Sequence, residues 1–219
     1  MAGPRIYLVH AAGVSIDPVQ ASFRALWPEA RVANILEDSL MTDLAADGRL
    51  TDTMVDRFRR LGQYCVVAGA DAILFACSAF GPAIEVVRRE QQIPVLKPNE
   101  AMYDELVAAG GRAALLATFQ PSIPSMVAEI EACARAKGVP IGIETRLVAG
   151  ALEALQRGDA AGHNRLIAEE AARVEGCDTI AFAQFSMAPA AGEARGRTKT
   201  PILTTPDSAV NRLKGLVRQ

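Results

Sequence analysis

A thiol stands at the end of a short apolar run, and small residues follow it. Residues 73–76 carry no charged side chain, and Cys77, Ser78 and Ala79 come directly after them. Such a run predicts a strand that is buried on both faces of a parallel sheet. Ligands of open α/β sheets bind at the carboxyl ends of the strands. A helix predicted from Pro82 would direct its free N–H groups to the same place, and we expect them to favour a thiolate at Cys77 and a bound carboxylate.

The segment around Cys77 has a counterpart in the second half of the chain. An offset of 107 residues relates three pairs of segments: 69–79 and 176–186, 5–9 and 112–116, and 94–96 and 201–203. Because one offset relates all three pairs, the sequence indicates an internal duplication. The same offset places Gln184 at the position that Cys77 has in the first copy.

Strands alternate with helices along both copies, which predicts an α/β fold with parallel sheets and helices on both faces. The predicted strands are 6–9, 31–36, 73–76, 93–96, 113–117, 141–148, 179–183 and 201–203. We therefore expect two pseudo-symmetric Rossmann-like halves, residues 1–97 with 205–219 and residues 98–204, and a site in the cleft between them. Residues 37–43 are predicted to form an acidic loop, and residues 192–199 the most mobile loop.

The composition excludes several classes of function. The chain has 219 residues, a formal net charge of −2 and no basic cluster, so nucleic-acid binding is not expected. No apolar run reaches the length of a membrane span. The first residues lack a signal-peptide pattern, so we expect a cytoplasmic protein with no membrane partner. In that compartment the four cysteines are reduced thiols, and none of their spacings indicates a metal site.

The duplicated halves and the strand-end Cys77-Ser78-Ala79 resemble the aspartate/glutamate racemase superfamily. That superfamily includes hydantoin racemases, maleate isomerases and arylmalonate decarboxylases, and the resemblance extends over nearly the whole chain. It implies that the two halves face each other and that each contributes one strand-end residue to the site. The first family motif, Cys-Asn-Thr-like, corresponds to Cys77-Ser78-Ala79, and the second, Gly-Cys-Thr-like, falls on residues 183–185. The second cysteine of the family is therefore replaced by Gln184.

The same resemblance indicates which residues would hold a substrate carboxylate. A Thr-rich loop of the family corresponds to Thr118 and Ser122, and the loop after the first strand corresponds to residues 10–15. Substrate-binding roles follow for six residues: Ser78, Ala79, Thr118, Ser122, Phe185 and Ser186. By residue type alone, hydroxyls at loop starts are as often turn or cap residues.

The two histidines receive different interpretations. His10 ends the first strand on the side of the sheet that carries Cys77, so it is a candidate base or carboxylate partner. The alternative is a loop histidine whose hydrogen bonds are satisfied by the backbone. His163 lies on a predicted helix beside Asn164 and Arg165, and we expect it on the solvated surface.

The missing cysteine leaves three reactions open. Direct racemisation needs an acid/base group on each face of the carbon. Gln184 cannot ionise, so Ser186 or His10 would have to supply the second base. Alternatively, Cys77 protonates an enolate formed by loss of carbon dioxide, which needs only one acid. In the third reaction, Cys77 adds to a double bond, allows rotation and leaves, as in cis–trans isomerisation.

These residues predict a cofactor-independent racemase or isomerase that acts on a small carboxylate. Cys77 would be its acid/base or nucleophile, with Gln184 and His10 as further catalytic candidates. The alternatives are a decarboxylase of the arylmalonate type, which uses one cysteine as proton donor, and a carboxylate-binding protein without activity. No metal or cofactor is expected, the expected partner is the small-molecule substrate, and a homo-oligomer stays open.

Overall fold

The structure, a computed structural model, describes residues 3–217. Residues 1, 2, 218 and 219, which the predicted domain bounds include, lie outside the described residues. The chain divides into two compact units, one comprising the residues up to Glu100 together with those from Ala209, and the other Ala101–Ser208. Within the described part of the chain, no helix is both long and apolar enough to cross a membrane.

The first unit contains a four-stranded parallel sheet in the order β2-β1-β3-β4. Its elements are β1 Arg5–His10, α1 Ile16–Leu26, β2 Arg31–Leu36, α2 Ser39–Asp47, α3 Asp52–Val67, β3 Ala72–Phe75, α4 Gly81–Glu90 and β4 Val95–Leu96. Short 3-10 turns, Gly13–Ser15 and Ser78–Phe80, follow β1 and β3. Every residue of β3 is buried, as expected for a central parallel strand with helices on both faces.

The second unit repeats this arrangement in the order β6-β5-β7-β8. Its elements are α5 Glu100–Ala109, β5 Gly111–Ala117, α6 Ile123–Lys137, β6 Ile141–Leu147, α7 Ala151–Gln156, α8 Ala160–Ala172, β7 Thr179–Phe182, α9 Ala191–Arg195, β8 Ile202–Thr204 and α10 Thr205–Val217. The 3-10 turns Gln120–Ser122 and Phe185–Ala190 follow β5 and β7. The first residue of α5 and the later residues of α10 are grouped with the first unit.

The central strands of the two units pair in the same register. Each residue pair between β1 and β3 recurs 107 residues later between β5 and β7, and the pairs between β3 and β4 recur likewise between β7 and β8. Examples are Ile6–Ala72 with Ala113–Thr179, and Ile73–Val95 with Ile180–Ile202. The predicted α/β fold of two similar halves is confirmed.

The core of the first unit fixes the strand end that carries Cys77. Phe75 ends β3 and Phe80 ends the following turn, and both rings pack on Phe58 of α3 with centroid separations of 5.3 and 4.9 Å. All three rings are buried. Aromatic pairs of this kind stabilise a fold by about 0.5–1.5 kcal/mol beyond their area burial. The segment with Cys77 is therefore anchored on both sides.

The prediction of an acidic loop at residues 37–43 is wrong, because α2 begins at Ser39. Arg57 of α3 forms ion pairs with Glu37 and Asp43, and its guanidinium also donates to the Ser39 hydroxyl at 2.6 Å. Leu40 is fully buried and gives the helix an apolar contact with the core. Neutralised charge and one buried leucine therefore favour a helix where the composition suggested a loop.

The prediction of a loop over residues 192–199 is also wrong in part. The helix α9, Ala191–Arg195, occupies its first half, and Ala194 is fully buried in the core of the second unit. Arg197 forms an ion pair with Glu193 one turn earlier. Arg195, Arg197 and Lys199 are exposed, and Arg195 belongs to the short helix, whose Ala191 and Ala194 face inward.

Candidate active site

Cys77 lies just past the end of β3 and directly before the turn Ser78–Phe80. The side chain is partly exposed, and its Sγ donates to Met41 Sδ at 3.7 Å. Burial raises the pKa of the Cys77 thiol, and a backbone hydrogen bond from Ala79 offsets only part of that effect. The thiol therefore keeps its proton at neutral pH and can act as an acid.

The expected stabilisation of a thiolate is present only in part, because the hydrogen bond from Ala79 lowers the pKa of Cys77 and burial raises it by more. Loss of water around the sulfur disfavours the charged form more than the hydrogen bond from Ala79 favours it. In addition, α4 begins at Gly81, so the turn Ser78–Phe80 separates the thiol from the helix. The dipole of a helix acts within its first turn, so its effect on Cys77 is weak.

Met41 is a neighbour of the thiol that the sequence did not reveal. It lies on α2, and 39% of its surface is exposed although it contacts Cys77. Ser78 and Ala79, which continue the turn, are exposed. The Met41 thioether is a weak hydrogen-bond acceptor, so the proton stays on the Cys77 sulfur. A ligand at Cys77 would thus meet an apolar, flexible side chain on one flank.

His10 is buried at the end of β1 with both ring nitrogens in hydrogen bonds. Nδ1 lies 2.7 Å from Ser15 Oγ, and Nε2 lies 3.0 Å from Asn34 Oδ1. Burial lowers the pKa of His10, which keeps the ring neutral with a single N–H group. Because Asn34 Oδ1 only accepts, that group is Nε2–H, which donates to Asn34. Nδ1 is then the unprotonated nitrogen, and it faces the Ser15 hydroxyl, whose oxygen also lies 2.9 Å from the Ala12 carbonyl oxygen.

This environment decides what His10 could do. Side chains rather than the backbone satisfy the ring, in contrast to the alternative that the sequence suggested. A neutral ring with an unprotonated Nδ1 has the form that a base requires, but Nδ1 faces the buried Ser15 hydroxyl. The Nε2 side of the ring contacts Asn34, which is exposed on the edge strand β2.

Gln184 ends β7 as Cys77 ends β3, and its amide is fully hydrogen-bonded. Oε1 accepts from the Thr118 backbone N–H at 3.0 Å and from the Thr118 hydroxyl at 3.4 Å. Nε2 donates to Ser122 Oγ at 3.2 Å, and Ser122 donates to the Phe119 carbonyl at 2.8 Å. The structure thus brings three predicted site residues of the second unit together. Gln184 orders the loop after β5 and carries no proton for acid/base work.

The turn after Gln184 holds the remaining predicted residues. Phe185 is buried, and Ser186 is partly exposed. The Ser186 carbonyl oxygen lies 3.1 Å from His163 Nε2. The prediction that His163 is solvated is wrong, because the ring is only 1% exposed. Its spacing of four residues from Ile167, also buried on α8, was the available signal of a buried face.

The predicted site residues therefore form two clusters, one at the strand ends of each unit. The first contains Cys77, Ser78, Ala79 and His10, and the second contains Thr118, Ser122, Gln184, Phe185 and Ser186. That both clusters line one cleft stays a prediction. Among residues 3–217, no three His, Cys, Asp or Glu side chains are grouped as a metal ion would require.

Comparison with known proteins finds similarity to racemases in sequence and in fold. A sequence model described as Asp/Glu/hydantoin racemase matches residues 20–213. The structure resembles allantoin racemase from Klebsiella pneumoniae with a TM-score of 0.74 and 16% identity, over 99% of this chain and 88% of that chain. It resembles an aspartate racemase homologue from Pyrococcus horikoshii with a TM-score of 0.73 and 15% identity, over 100% of both chains.

A third similar structure is a glycine-to-cysteine mutant of arylmalonate decarboxylase. Its TM-score is 0.68 at 18% identity, over 97% of this chain and 94% of that chain. At these identities the structural likeness shows the fold. No curated protein sequence matches the chain.

Proposed function

Because this chain belongs to the Asp/Glu/hydantoin racemase family, we propose that it is a cofactor-independent racemase or isomerase of small carboxylates, with Cys77 as its acid. The observation that carries this proposal is the partly exposed thiol at the carboxyl end of β3. Its pKa is raised by burial, so it holds a proton that it can deliver to carbon.

The substrate carboxylate would be held by hydrogen-bond donors of the two strand-end turns. Ser78 follows Cys77, and Ser186 lies two residues after Gln184. Both residues lie in 3-10 turns, whose first backbone N–H groups have no carbonyl partner within the turn. Such donors stabilise the enolate that forms when the α-carbon loses a proton.

Racemisation at the α-carbon moves two protons. A base removes the α-proton from one face, and the Cys77 thiol gives its proton to the other face and becomes a thiolate. The protonated base and the thiolate then exchange roles for the reverse direction. Gln184 cannot be that base, so His10 and Ser186 are the candidates. His10 is the stronger one, because burial keeps its ring neutral.

A decarboxylase is the second candidate, and Gln184 is the observation that favours it. Its amide is committed to Thr118 and Ser122 and cannot ionise. A decarboxylation breaks the bond between carbon and carboxylate, releases carbon dioxide and leaves an enolate. Cys77 would protonate that enolate and regain its proton from water, so one acid suffices.

Incubation in heavy water with amino acids, hydantoins and disubstituted malonates tests the proposal. Proton NMR follows replacement of the α-proton by deuterium, and release of carbon dioxide is measured in parallel. Exchange without carbon dioxide is the expected result. Carbon dioxide release without exchange would select the decarboxylase. If no compound reacts while carboxylates shield Cys77 from iodoacetamide, the protein is a carboxylate-binding protein and the proposal fails.

A further inference from the structure

His163 lies between two backbone carbonyls of the second unit. Its Nδ1 is 2.7 Å from the carbonyl oxygen of Ala151, the first residue of α7, and its Nε2 is 3.1 Å from the carbonyl oxygen of Ser186. The ring is 1% exposed, so water cannot replace either partner. It connects α8 to the turn Phe185–Ala190, which begins directly after Gln184.

A hydrogen bond to a carbonyl needs an N–H group on the ring. A carbonyl oxygen only accepts, so each contact is a hydrogen bond only where the facing nitrogen carries a proton. A neutral imidazole carries one N–H, so it bonds one of the two carbonyls and leaves the other facing a bare nitrogen. His163 therefore holds the Ser186 carbonyl only in the form that carries the proton on Nε2.

The Ser186 carbonyl belongs to the same turn that fixes Gln184. Met187 N donates to the Gln184 carbonyl at 3.0 Å, which closes the turn. At one end the turn is tied to Thr118 and Ser122 through the Gln184 side chain. At the other end His163 holds the Ser186 carbonyl. Loss of either tie would leave the turn with one anchor.

We propose that His163 is a positioning residue: its Nε2–H, bonded to the Ser186 carbonyl, holds the turn that presents Gln184, Phe185 and Ser186 to the substrate. The inference rests on the proposed function in so far as this turn contacts the substrate. The competing role is that of a core filler, since His163 shares its helix face with the buried Ile167. A filler needs only volume, whereas a positioning residue needs its donor.

The ring signal of the wild-type protein tests the donor directly. In protein labelled with ¹⁵N and ¹³C, NMR at about pH 7 reports whether Nε2 of His163 carries a proton. The proposal expects a protonated Nε2 and a Ser186 carbonyl carbon with the shift of a hydrogen-bonded group. An Nε2 without a proton overturns the proposal.

Amide hydrogen exchange in two variants tests the consequence. His163→Phe keeps the volume and removes the donor, and His163→Gln keeps an NH₂ group that can reach a carbonyl. Loss of one hydrogen bond should speed exchange of the Met187 amide about fivefold in His163→Phe, with a smaller change in His163→Gln. The Gly81 amide, which bonds Ser78 O in the matching turn of the first unit, is the internal control and should not change. Equal acceleration at both amides, or none at Met187, contradicts the proposal.

These readouts need no turnover, so the two proposals can fail separately. If no carboxylate reacts, the proposed function fails. The ring signal and the exchange rates still test whether His163 positions the turn. If turnover is found, His163→Phe should lower kcat/KM while the rate of Cys77 alkylation stays at the wild-type value. Should His163→Phe not fold, the ring signal and His163→Gln decide the question.

Discussion

At the scale of single residues, His10 and Gln184 anchor equivalent serines in the two units. Ser15 and Ser122, which are 107 residues apart, each donate to the carbonyl three residues earlier. Ser15 Oγ lies 2.7 Å from His10 Nδ1, and Ser122 Oγ accepts from Gln184 Nε2 at 3.2 Å. An imidazole in the first unit and an amide in the second thus contact the equivalent serine of the equivalent loop. Among His10, Gln184 and Cys77, the Cys77 thiol is the group that holds a proton for transfer at neutral pH.

The reaction of Cys77 with iodoacetamide should accelerate with rising pH until the pH passes the ordinary pKa of a cysteine. The thiolate is the reacting form, and burial raises the pKa of this thiol, so little thiolate is present at neutral pH. Mass spectrometry of the peptide with Cys77, after labelling from about pH 6 to about pH 10, measures the profile. A plateau already at about pH 7 would show that the thiolate is stabilised and that this description of the thiol is wrong.

The position of Cys77 could be predicted from the sequence, but its surroundings could not. A buried run followed by a thiol is a local pattern, and the offset located Gln184. The contact of Cys77 with Met41 and that of His10 with Asn34 join residues that are 36 and 24 positions apart, and no local pattern indicates them. The sign of the pKa shift depends on burial, which a single sequence does not give.

At the scale of elements, α2 determines access to the thiol. Met41 on this helix touches Cys77, and Arg57 of α3 pairs with Glu37 just before the helix and with Asp43 in its middle. The Arg57 side chain is 28% exposed, so each ion pair is partly screened by solvent. Together the contacts keep α2 against the strand end.

Replacement of Arg57 by alanine should expose Cys77. Partly exposed ion pairs contribute about 0.2–1 kcal/mol each, so loss of both pairs should speed alkylation of Cys77 by about two- to thirtyfold. Alkylation rates at one pH compare the wild type with Arg57→Ala and with Arg60→Ala, a matched control at an exposed position of the same helix. Equal rates in all three proteins would show that Arg57 does not hold α2 over the thiol.

Most elements could be predicted because their signals are local. The strands follow apolar runs, and Gly138 ends α6 with a positive φ, where a glycine is favoured. The helix at residues 39–47 was not predicted because Arg57, which pairs with Glu37 and Asp43, lies in the next helix. Burial of His163 was missed although its spacing from Ile167 indicated it.

At the scale of the whole molecule, the duplication assigns one strand-end cluster to each unit. The register of the central strands repeats with one offset, so Cys77 and Gln184 occupy equivalent places in their own sheets. Two copies of one fold with different strand-end residues can place unlike groups on the two sides of a substrate. The predicted shared cleft would give that arrangement its function.

A bridging experiment tests the shared cleft. In Gln184→Cys, a short bifunctional thiol reagent should join the introduced thiol to Cys77 if both strand ends face one cleft. The native Cys177, which precedes β7 at the opposite end of the same strand, is the matched control and should not be joined to Cys77. Mass spectrometry of the digested protein identifies the bridge. Bridges to Cys177 but not to the introduced thiol would refute the shared cleft.

Deuterium exchange at the α-carbon by variants of Cys77 tests the central claim most directly. The measurement compares wild type, Cys77→Ala, Cys77→Ser and the control Cys133→Ala, which removes another partly exposed thiol of raised pKa. Because a serine hydroxyl is a much weaker acid than a thiol, both Cys77 variants should lose about 10²–10⁴-fold in rate, and Cys133→Ala should match the wild type. Exchange that continues at the wild-type rate in Cys77→Ala would contradict the account.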